Sequence, residues 1–328
     1  MSGKMRVFVT QPIAPSALAR LRSIADVKMN PDSSKIIAKS KLIAAVKKCD
    51  ILFSLLHDTV DRAVLAANPK LKAVASMNIT QDRIDMNEAT RRGIAVTVIP
   101  PIVAESVADL HIGLMLAVAR RMIEGDRSVR ASRFPGSQSN RFAGSFVHGK
   151  TIGLVAVGRI GQATARRAQG FGMRLIYWGP RRKPELEREF NMEYRPLDQL
   201  LAEADFVSLH PPLNAETRHM ISDREFSKMK PTAFVINTAR GAIIDEAALV
   251  RALKKKKIAG AGLDVFENEP KVPAALLKMK NVVLTPHLGS AVMELRDAMA
   301  NIVVDNIQAL IDGRVPPNCV NPQVLKPS

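Results

Sequence analysis

Three polar segments in the second half of the sequence carry side chains that could do acid–base chemistry. They contain Arg240, Glu269 and His287, and each begins where a predicted strand ends. An arginine can hold a carboxylate through two parallel hydrogen bonds and polarise a neighbouring carbonyl. A protonated histidine can give its proton to a forming alkoxide, and a carboxylate beside it keeps the imidazole charged and oriented. The set suits the reduction of a 2-oxo acid. The segments are 237–241, 263–270 and 285–290.

A glycine-rich turn upstream of these segments predicts a dinucleotide site. The strand Thr151–Val157 runs into Ala156-Val157-Gly158-Arg159-Ile160-Gly161, and a helix begins at Ile160. This is a G-x-G-x-x-G fingerprint whose first glycine is replaced by Ala156, which we expect to displace the turn slightly without abolishing binding. Gly158 lets the backbone approach a pyrophosphate, and Gly161 lets the helix pack on the strand. The free N–H groups of the helix N-terminus then bind the phosphates.

The end of the next strand indicates which dinucleotide is bound. An NAD enzyme usually has Asp or Glu about 20 residues after the glycines, where it binds the ribose hydroxyls. Here the sequence is Tyr177-Trp178-Gly179, followed by Pro180, Arg181 and Arg182. No carboxylate repels a 2′-phosphate and two guanidiniums could bind one, so NADP is predicted and NAD is less favoured. The alternative is that these residues form an ordinary solvated basic turn.

Composition limits the class of protein. The chain has 328 residues, enough for about two domains, with 47% hydrophobic and 24% charged residues. Cys49 and Cys319 are too few for a disulfide framework, no cluster has metal-ligand spacing, and the apolar stretch Leu110–Ala119 is half a membrane span. With no signal-peptide pattern either, we expect a cytoplasmic protein that has neither a metal nor a membrane segment.

The formal net charge of +17 is the one unusual number. A strongly basic chain attracts polyanions, so nucleic-acid binding must be weighed. The basic residues are scattered, however, and the dense run Lys254–Lys257 lies at the end of a predicted helix, where cations are favourable. A small anionic substrate and a phosphorylated cofactor suit the charge equally well, so no nucleic-acid partner is predicted.

Short apolar runs alternate with amphipathic helices along most of the chain. This pattern predicts an α/β protein with parallel sheets covered on both faces. One long apolar helix is expected from Ala104 to about Gly125, followed by a loop-like region to Lys150, and His111 in that helix is expected to be a packed core residue. The last helix is expected from Ala291 to about Asp312.

The segments around Arg240, Glu269 and His287, together with the glycine-rich turn, resemble the D-isomer-specific 2-hydroxyacid dehydrogenase family. Within that family the sequence is most similar to NADPH-dependent glyoxylate/hydroxypyruvate (2-ketogluconate) reductases. The resemblance implies that Arg240 binds the substrate, that Glu269 is the carboxylate partner and that His287 is the acid/base. It also implies cofactor contacts from a further set of residues, namely His210, Pro211, Pro212, Thr238, Ala239, Asp264 and Gly289.

The same resemblance implies two doubly wound parallel-sheet domains. A discontinuous, flavodoxin-like substrate domain would comprise residues 1–101 and 291–328, and a Rossmann-type NADP-binding domain would comprise 102–290. Family members are typically homodimers, here through the region 104–148. The substrate would be contacted by Arg240, by His287 and by a set of residues in the first domain, namely Leu55, Asn78, Ile79 and Thr80. Thr80 stands where the family commonly has Gly, and the role of 135–140 is left open.

The resulting hypothesis is an oxidoreductase that reduces small 2-oxo acids to D-2-hydroxy acids by hydride transfer from NADPH. The substrates considered are glyoxylate, hydroxypyruvate and a 2-ketogluconate type of sugar acid. One alternative is an NAD-linked enzyme of the family, such as a phosphoglycerate dehydrogenase. Another is a non-catalytic, cofactor-sensing binding protein on the same fold.

Overall fold

The computed structural model describes residues 4–137 and 140–325. In chain order its elements are β1 Arg6–Val9, α1 Pro15–Ile24, β2 Asp26–Met29, α2 Lys39–Val46, β3 Ile51–Ser54, α3 Arg62–Ala66, β4 Ala73–Ser76, α4 Met86–Arg91, β5 Ala95–Thr97, α5 Ala104–Ala119, α6 Met122–Arg130, β6 Thr151–Val155, α7 Arg159–Gly170, β7 Arg174–Trp178, α8 Pro184–Phe190, β8 Met192–Tyr194, α9 Leu197–Glu203, β9 Phe206–Leu209, α10 Asp223–Lys228, β10 Phe234–Asn237, α11 Glu246–Lys254, β11 Gly260–Leu263, α12 Ala274–Leu277, β12 Val282–Leu284 and α13 Met293–Ile311.

The chain forms two compact units. The first unit comprises residues 1–102 and 292–328, and the second comprises 103–291. Within the described residues no helix combines the length and the apolarity needed to span a membrane.

The first unit is built on a five-stranded parallel sheet in the order β2-β1-β3-β4-β5. This is the strand order of flavodoxin-like folds. The apolar strand β3 is buried at every residue, as expected for a strand covered on both faces. The C-terminal helix α13 packs on α1 and β4 and contributes Val303, Val304 and Ile307 to the buried interior of this unit.

The second unit contains a seven-stranded parallel sheet in the order β12-β11-β10-β9-β6-β7-β8. The strand order reverses between the adjacent central strands β6 and β9. From β6 the chain continues through β7 to the edge strand β8, and from β9 it continues through β10 and β11 to the opposite edge strand β12. Ligands of open α/β sheets bind beyond the carboxyl ends of the strands at such a reversal. The two sheets confirm the predicted fold class of two doubly wound α/β layers.

The prediction of one long helix from Ala104 to about Gly125 is wrong about where the helix ends. It ends at Ala119, Arg121 takes a left-handed conformation with φ of 53°, and a separate helix α6 continues to Arg130, inside the region predicted as a loop. The Ser145 backbone N–H donates to the Ala119 carbonyl at 2.9 Å, so a distant segment caps α5 at this point. The predicted burial of α5 is confirmed, because half of its residues are buried against the second sheet.

Candidate active site

The glycine-rich turn joins β6 to α7 at the reversal point of the second sheet. Ala156 adopts the left-handed conformation, with φ of 69°, that a glycine would hold without strain. A Cβ on Gly161 would lie 2.6 Å from the Ala156 carbonyl oxygen, so the tight approach of helix to turn requires glycine there. Gly158 is the N-cap of α7, and the first backbone N–H groups of the helix have no acceptor within it.

Two further observations at this turn fit a dinucleotide. A Cβ on Gly158 would meet no heavy atom within 4 Å, so space is open beside the helix N-terminus. His210, at the end of β9, lies against the turn, with its Cδ2 3.5 Å from the position of a Cβ on Gly161. Open space together with uncommitted N–H groups is what a pyrophosphate needs.

The basic residues after β7 are not equivalent. The Arg182 guanidinium donates to Glu187 in a bidentate pair at 2.7 and 2.8 Å, and Tyr177 also donates to this carboxylate at 2.7 Å. Arg181 is exposed and makes no ion pair with the described part of the chain. A Cβ on Gly179 would have the Arg181 carbonyl oxygen at 3.7 Å, an ordinary contact. The arginine that is available to a 2′-phosphate is therefore Arg181.

Arg240 lies in a turn immediately after β10. The Asn237 side chain holds this turn, because its amide donates to the Arg240 carbonyl at 2.9 Å and its oxygen accepts from the Ala239 N–H at 3.0 Å. The Arg240 side chain is half-buried and donates to the Ala239 carbonyl at 2.8 Å. The turn thus fixes the backbone from which the guanidinium projects.

His287 and Glu269 are in direct contact. The imidazole Nδ1 lies 3.1 and 3.3 Å from the two carboxylate oxygens, and the Phe266 N–H donates to Glu269 Oε1 at 3.0 Å. Glu269 is largely buried, whereas the His287 side chain is 29% exposed. His287 has a φ of 56°, a costly conformation for a residue with a Cβ. A carboxylate on Nδ1 leaves Nε2 as the nitrogen not bonded to Glu269.

Asp264 holds the loop that carries His287. The Leu288 N–H and the Thr285 hydroxyl donate to Oδ1 at 2.7 and 2.6 Å, and the Gly289 N–H donates to Oδ2 at 2.9 Å. Burial raises the pKa of this carboxyl, while these hydrogen bonds act in the opposite direction. The sequence suggested Asp264 only as a cofactor neighbour, and its role in positioning the His287 loop could not be seen without the structure.

The remaining candidates on the second sheet also lie at carboxyl ends of strands. The His210 N–H donates to the Val155 carbonyl at 2.9 Å, which places the residue between β9 and β6. Pro211 and Pro212 follow, and the Pro212 carbonyl accepts from the Thr217 hydroxyl at 2.6 Å. Thr238 is buried and contacts His111. His111 is buried as expected, but it is also hydrogen-bonded through both of its ring nitrogens, which the sequence did not indicate.

The candidates of the first unit lie at the carboxyl ends of its neighbouring strands β3 and β4. The Leu55 N–H donates to Thr10 Oγ1 at 3.1 Å and to Asp58 Oδ2 at 2.8 Å. The Asn78 carbonyl accepts from the Ile99 N–H at 2.9 Å. Thr80 donates to Asp82 at 2.7 Å, and Ile79 lies between these two residues in the same loop. The first sheet thus brings these two predicted segments to one edge.

Comparison with known proteins is in accord with this arrangement. Residues 112–289 match the family described as D-isomer specific 2-hydroxyacid dehydrogenase, NAD binding domain. The chain is 46% identical over 329 residues to a glyoxylate reductase of Thermococcus litoralis, with 99% of each chain covered.

Solved structures of similar proteins point to the same family. A glyoxylate reductase from Paecilomyes thermophila has a TM-score of 0.83 at 32% identity, covering 98% of this chain and 100% of that one. An NADPH-dependent glyoxylate/hydroxypyruvate reductase from Sinorhizobium meliloti, in complex with NADP and malonate, has a TM-score of 0.80 at 34% identity, covering 97% of each chain. The chain therefore belongs to the D-isomer-specific 2-hydroxyacid dehydrogenase family, and its second unit contains the family's NAD-binding domain.

Proposed function

We propose that this protein reduces small 2-oxo acids, such as glyoxylate, hydroxypyruvate or a 2-ketogluconate type of sugar acid, to D-2-hydroxy acids with NADPH. The observation that carries the proposal is the Glu269–His287 pair, a carboxylate on Nδ1 of an imidazole at the carboxyl edge of a dinucleotide-binding sheet. The relatives named glyoxylate reductase support the substrate class.

In the proposed reaction the protein binds, orients and protonates. The Arg240 guanidinium binds the substrate carboxylate and polarises the adjacent carbonyl. The protonated imidazole of His287 transfers its proton to the carbonyl oxygen as that oxygen gains charge, and Glu269 stabilises the imidazolium before the transfer. Backbone N–H groups from Val157 to Gly161 hold the cofactor phosphates. The bound nicotinamide supplies the hydride.

The preference for NADPH rests on the residues after β7. Gly179 brings no carboxylate towards a 2′-phosphate, and Arg181 is available to donate to it, whereas Arg182 is paired with Glu187. The NADP complex of the Sinorhizobium meliloti reductase supports this assignment. A charge-assisted hydrogen bond contributes about 1.5–3 kcal/mol, which corresponds to about tenfold or more in affinity.

The test is a panel of 2-oxo acids assayed by loss of NADPH or NADH absorbance. We expect turnover with NADPH to exceed turnover with NADH in kcat/KM by about tenfold or more. Arg181→Ala should remove most of that ratio and Gly179→Asp should reverse it, while Arg182→Ala, the matched control, should change it less. Equal use of both cofactors favours the NAD-linked alternative. No turnover with any 2-oxo acid favours a cofactor-sensing binding protein.

We also propose a cytoplasmic homodimer that pairs through the region 104–148. Large apolar side chains are exposed in this region, including Phe134 at 62% and Phe146 at 78%. Clusters of exposed apolar side chains commonly mark surfaces that contact another protein chain. The cytoplasm would keep the thiols of Cys49 and Cys319 reduced. Light scattering of Phe146→Glu should give a monomer, while Leu277→Glu, at a site that is 62% exposed but outside the region, should remain dimeric. A wild-type monomer would refute the assembly.

A further inference from the structure

Four polar side chains, three of them buried, form a continuous chain of hydrogen bonds between α5 and the neighbouring strands β9 and β10 of the second sheet. Thr238 Oγ1 lies 2.9 Å from His111 Nδ1, and His111 Nε2 lies 2.7 Å from Ser208 Oγ. Ser208 Oγ in turn lies 2.7 Å from His210 Nε2. Thr238, His111 and Ser208 are all buried. The chain therefore links the glycine-rich turn, where His210 lies, to the segment that leads into Arg240.

Both imidazoles in this chain are neutral at ordinary pH. Burial lowers the pKa of His210 to about 3. Burial, together with the neighbouring His210, holds the pKa of His111 well below its usual range. The two ring centroids are 4.7 Å apart, a distance at which two charged rings would repel each other strongly. Each ring therefore carries one hydrogen, on one of its two nitrogens.

With all three bonds made, three arrangements of the hydrogens are possible, because the Ser208 oxygen can accept two bonds while its hydroxyl has a single hydrogen to donate. In one of them both imidazoles donate to Ser208, and the buried hydroxyl hydrogen of Ser208 is left without an acceptor among the described residues, which is costly. Two arrangements remain. In the first arrangement His210 Nε2–H donates to Ser208, Ser208 donates to His111 Nε2, and His111 Nδ1–H donates to Thr238. In the second every bond runs the other way, and Thr238 donates to His111. Between these two arrangements, the hydrogen on His210 determines which group donates at the far end.

The other nitrogen of His210 selects between the two. Its Nδ1 is buried and has no hydrogen-bond partner within the described residues. The second arrangement places a hydrogen on this atom and leaves a buried N–H without an acceptor, which is rarer in proteins than a buried acceptor without a donor. The first arrangement is therefore favoured. In it the Thr238 oxygen accepts from His111, and its own hydrogen is left to donate elsewhere.

We propose that His210, Ser208 and His111 form a hydrogen-bond relay of fixed direction that makes the Thr238 hydroxyl a donor to an acceptor oxygen of the bound dinucleotide. His111 and Ser208 are then positioning residues, which act on the cofactor through Thr238. The proposal rests on the dinucleotide binding of the family and not on the choice between NADPH and NADH or on the 2-oxo acid substrate.

The direction of the relay can be read by ¹⁵N NMR of the histidine rings, since protonated and bare ring nitrogens have distinct shifts. We expect the hydrogen on Nδ1 in His111 and on Nε2 in His210, with or without NADPH, in wild-type protein. The two signals are assigned with His111→Gln and His210→Gln. A hydrogen on Nε2 of His111 overturns the proposal, because the Thr238 hydroxyl would then be committed to His111.

The consequence for the cofactor is tested by binding, independently of turnover. Trp178, the single tryptophan, ends β7 and serves as the fluorescent probe for NADPH and NADH. Thr238→Val should raise the dissociation constants of NADPH and NADH about fivefold to tenfold, while Thr238→Ser should bind both cofactors as the wild type does. Ser208→Ala, which interrupts the relay, should weaken binding in the same direction.

The matched control is Thr164→Val, which removes a buried hydroxyl that has no partner among the described residues of the same unit. It should leave both dissociation constants unchanged. Wild-type affinity in Thr238→Val overturns the proposal, even if Ser208→Ala does not fold. Failure of the enzyme to turn over any 2-oxo acid, with these affinities as expected, would contradict the proposed substrate class and leave the relay intact.

Discussion

Gly241 lies against the backbone of Phe266 so closely that no side chain fits between them. A Cβ on Gly241 would lie 1.9 Å from the Phe266 carbonyl carbon and 2.3 Å from the Glu267 nitrogen. Glu246 Oε1 strengthens the same contact by accepting from the Glu267 N–H at 2.9 Å. The turn that carries Arg240 and the loop that carries Glu269 thus pack directly against each other.

Gly241→Ala should therefore damage the proposed active site without removing any of the side chains proposed to act in it. The added methyl forces the two loops apart, which we expect to lower the free energy of unfolding by about 1–3 kcal/mol. A displacement of about 1 Å at Arg240 should reduce kcat/KM by about 100-fold. Gly170→Ala, where a Cβ meets nothing within 4 Å, is the control and should keep wild-type activity. Full activity in Gly241→Ala would show that the contact is not needed.

Glu269→Gln should keep the shape of the site and remove the carboxylate charge that lies beside His287 Nδ1. The amide oxygen can still accept from the Phe266 N–H, so we expect little change in Tm. Loss of a charge-assisted bond to the imidazolium should lower kcat for reduction about tenfold or more, with the cofactor dissociation constant unchanged.

Glu267→Gln is the matched carboxylate control for that experiment. Glu267 instead contacts Arg218 at 2.8 Å and His219 at 2.7 Å. Its kcat should stay within about twofold of wild type. If Glu269→Gln also keeps its kcat, the carboxylate only supports the loop.

Asp58→Asn should stabilise the protein increasingly as the pH rises. Asp58 is buried in the first unit, and burial raises its pKa. A carboxyl whose pKa is raised on folding contributes stability below the unfolded value of about 3.9 and loses it as the pH rises through the folded value. The Thr10 hydroxyl and the Leu55 N–H both donate to Oδ2, and an amide oxygen can accept both bonds.

The measurement is Tm of wild type and Asp58→Asn from about pH 3 to about pH 7. The Tm of the variant should rise relative to the Tm of the wild type as the pH increases across this range. A difference in Tm that does not vary with pH would show that the buried carboxyl does not titrate differently in the folded state.

Ala156→Gly should stabilise the protein. Ala156 has a φ of 69°, where a Cβ costs about 1–2 kcal/mol, and glycine offsets part of this gain through its larger unfolded-state entropy. We expect a net gain of about 0.5–1 kcal/mol in urea unfolding. Ala202→Gly, on the exposed face of α9, should instead lose about 0.5–1 kcal/mol. Equal losses in both variants would show that the turn is unstrained.

Strands whose residues are mostly buried could be predicted from the sequence, and strands with few buried residues could not, for a physical reason. Strands such as β3 and β9 are buried on both faces, so they appear as continuous apolar runs. The edge strands β5 and β12, which are mostly buried, were also predicted. The edge strands β2 and β8 were not predicted, because β2 alternates exposed and partly buried residues and β8 has a single buried residue, Met192. The break after α5 carries neither glycine nor proline. It depends on Ser145, a residue 26 positions away from the carbonyl it binds.

At the site, chemistry that resides in residue types could be predicted, and chemistry that depends on contacts could not. Glu269 and His287 were chosen for their side chains, and the structure brings them together. Glu187 was not singled out, yet it decides that Arg182 is paired and Arg181 is available. A bond between residues five apart at a strand end leaves no periodic pattern in the sequence.

The discontinuity of the first unit has a consequence for how the chain matures during synthesis. Helix α1 is held by α13 through Arg20, which donates to Asn301 and Asp305 at 2.7 Å each, across more than 280 residues of sequence. A ribosome making this protein therefore finishes the whole contiguous second unit before the last helix of the first unit emerges. The early strands β1–β5 must wait, with the surface that α13 will cover exposed to solvent or to chaperones.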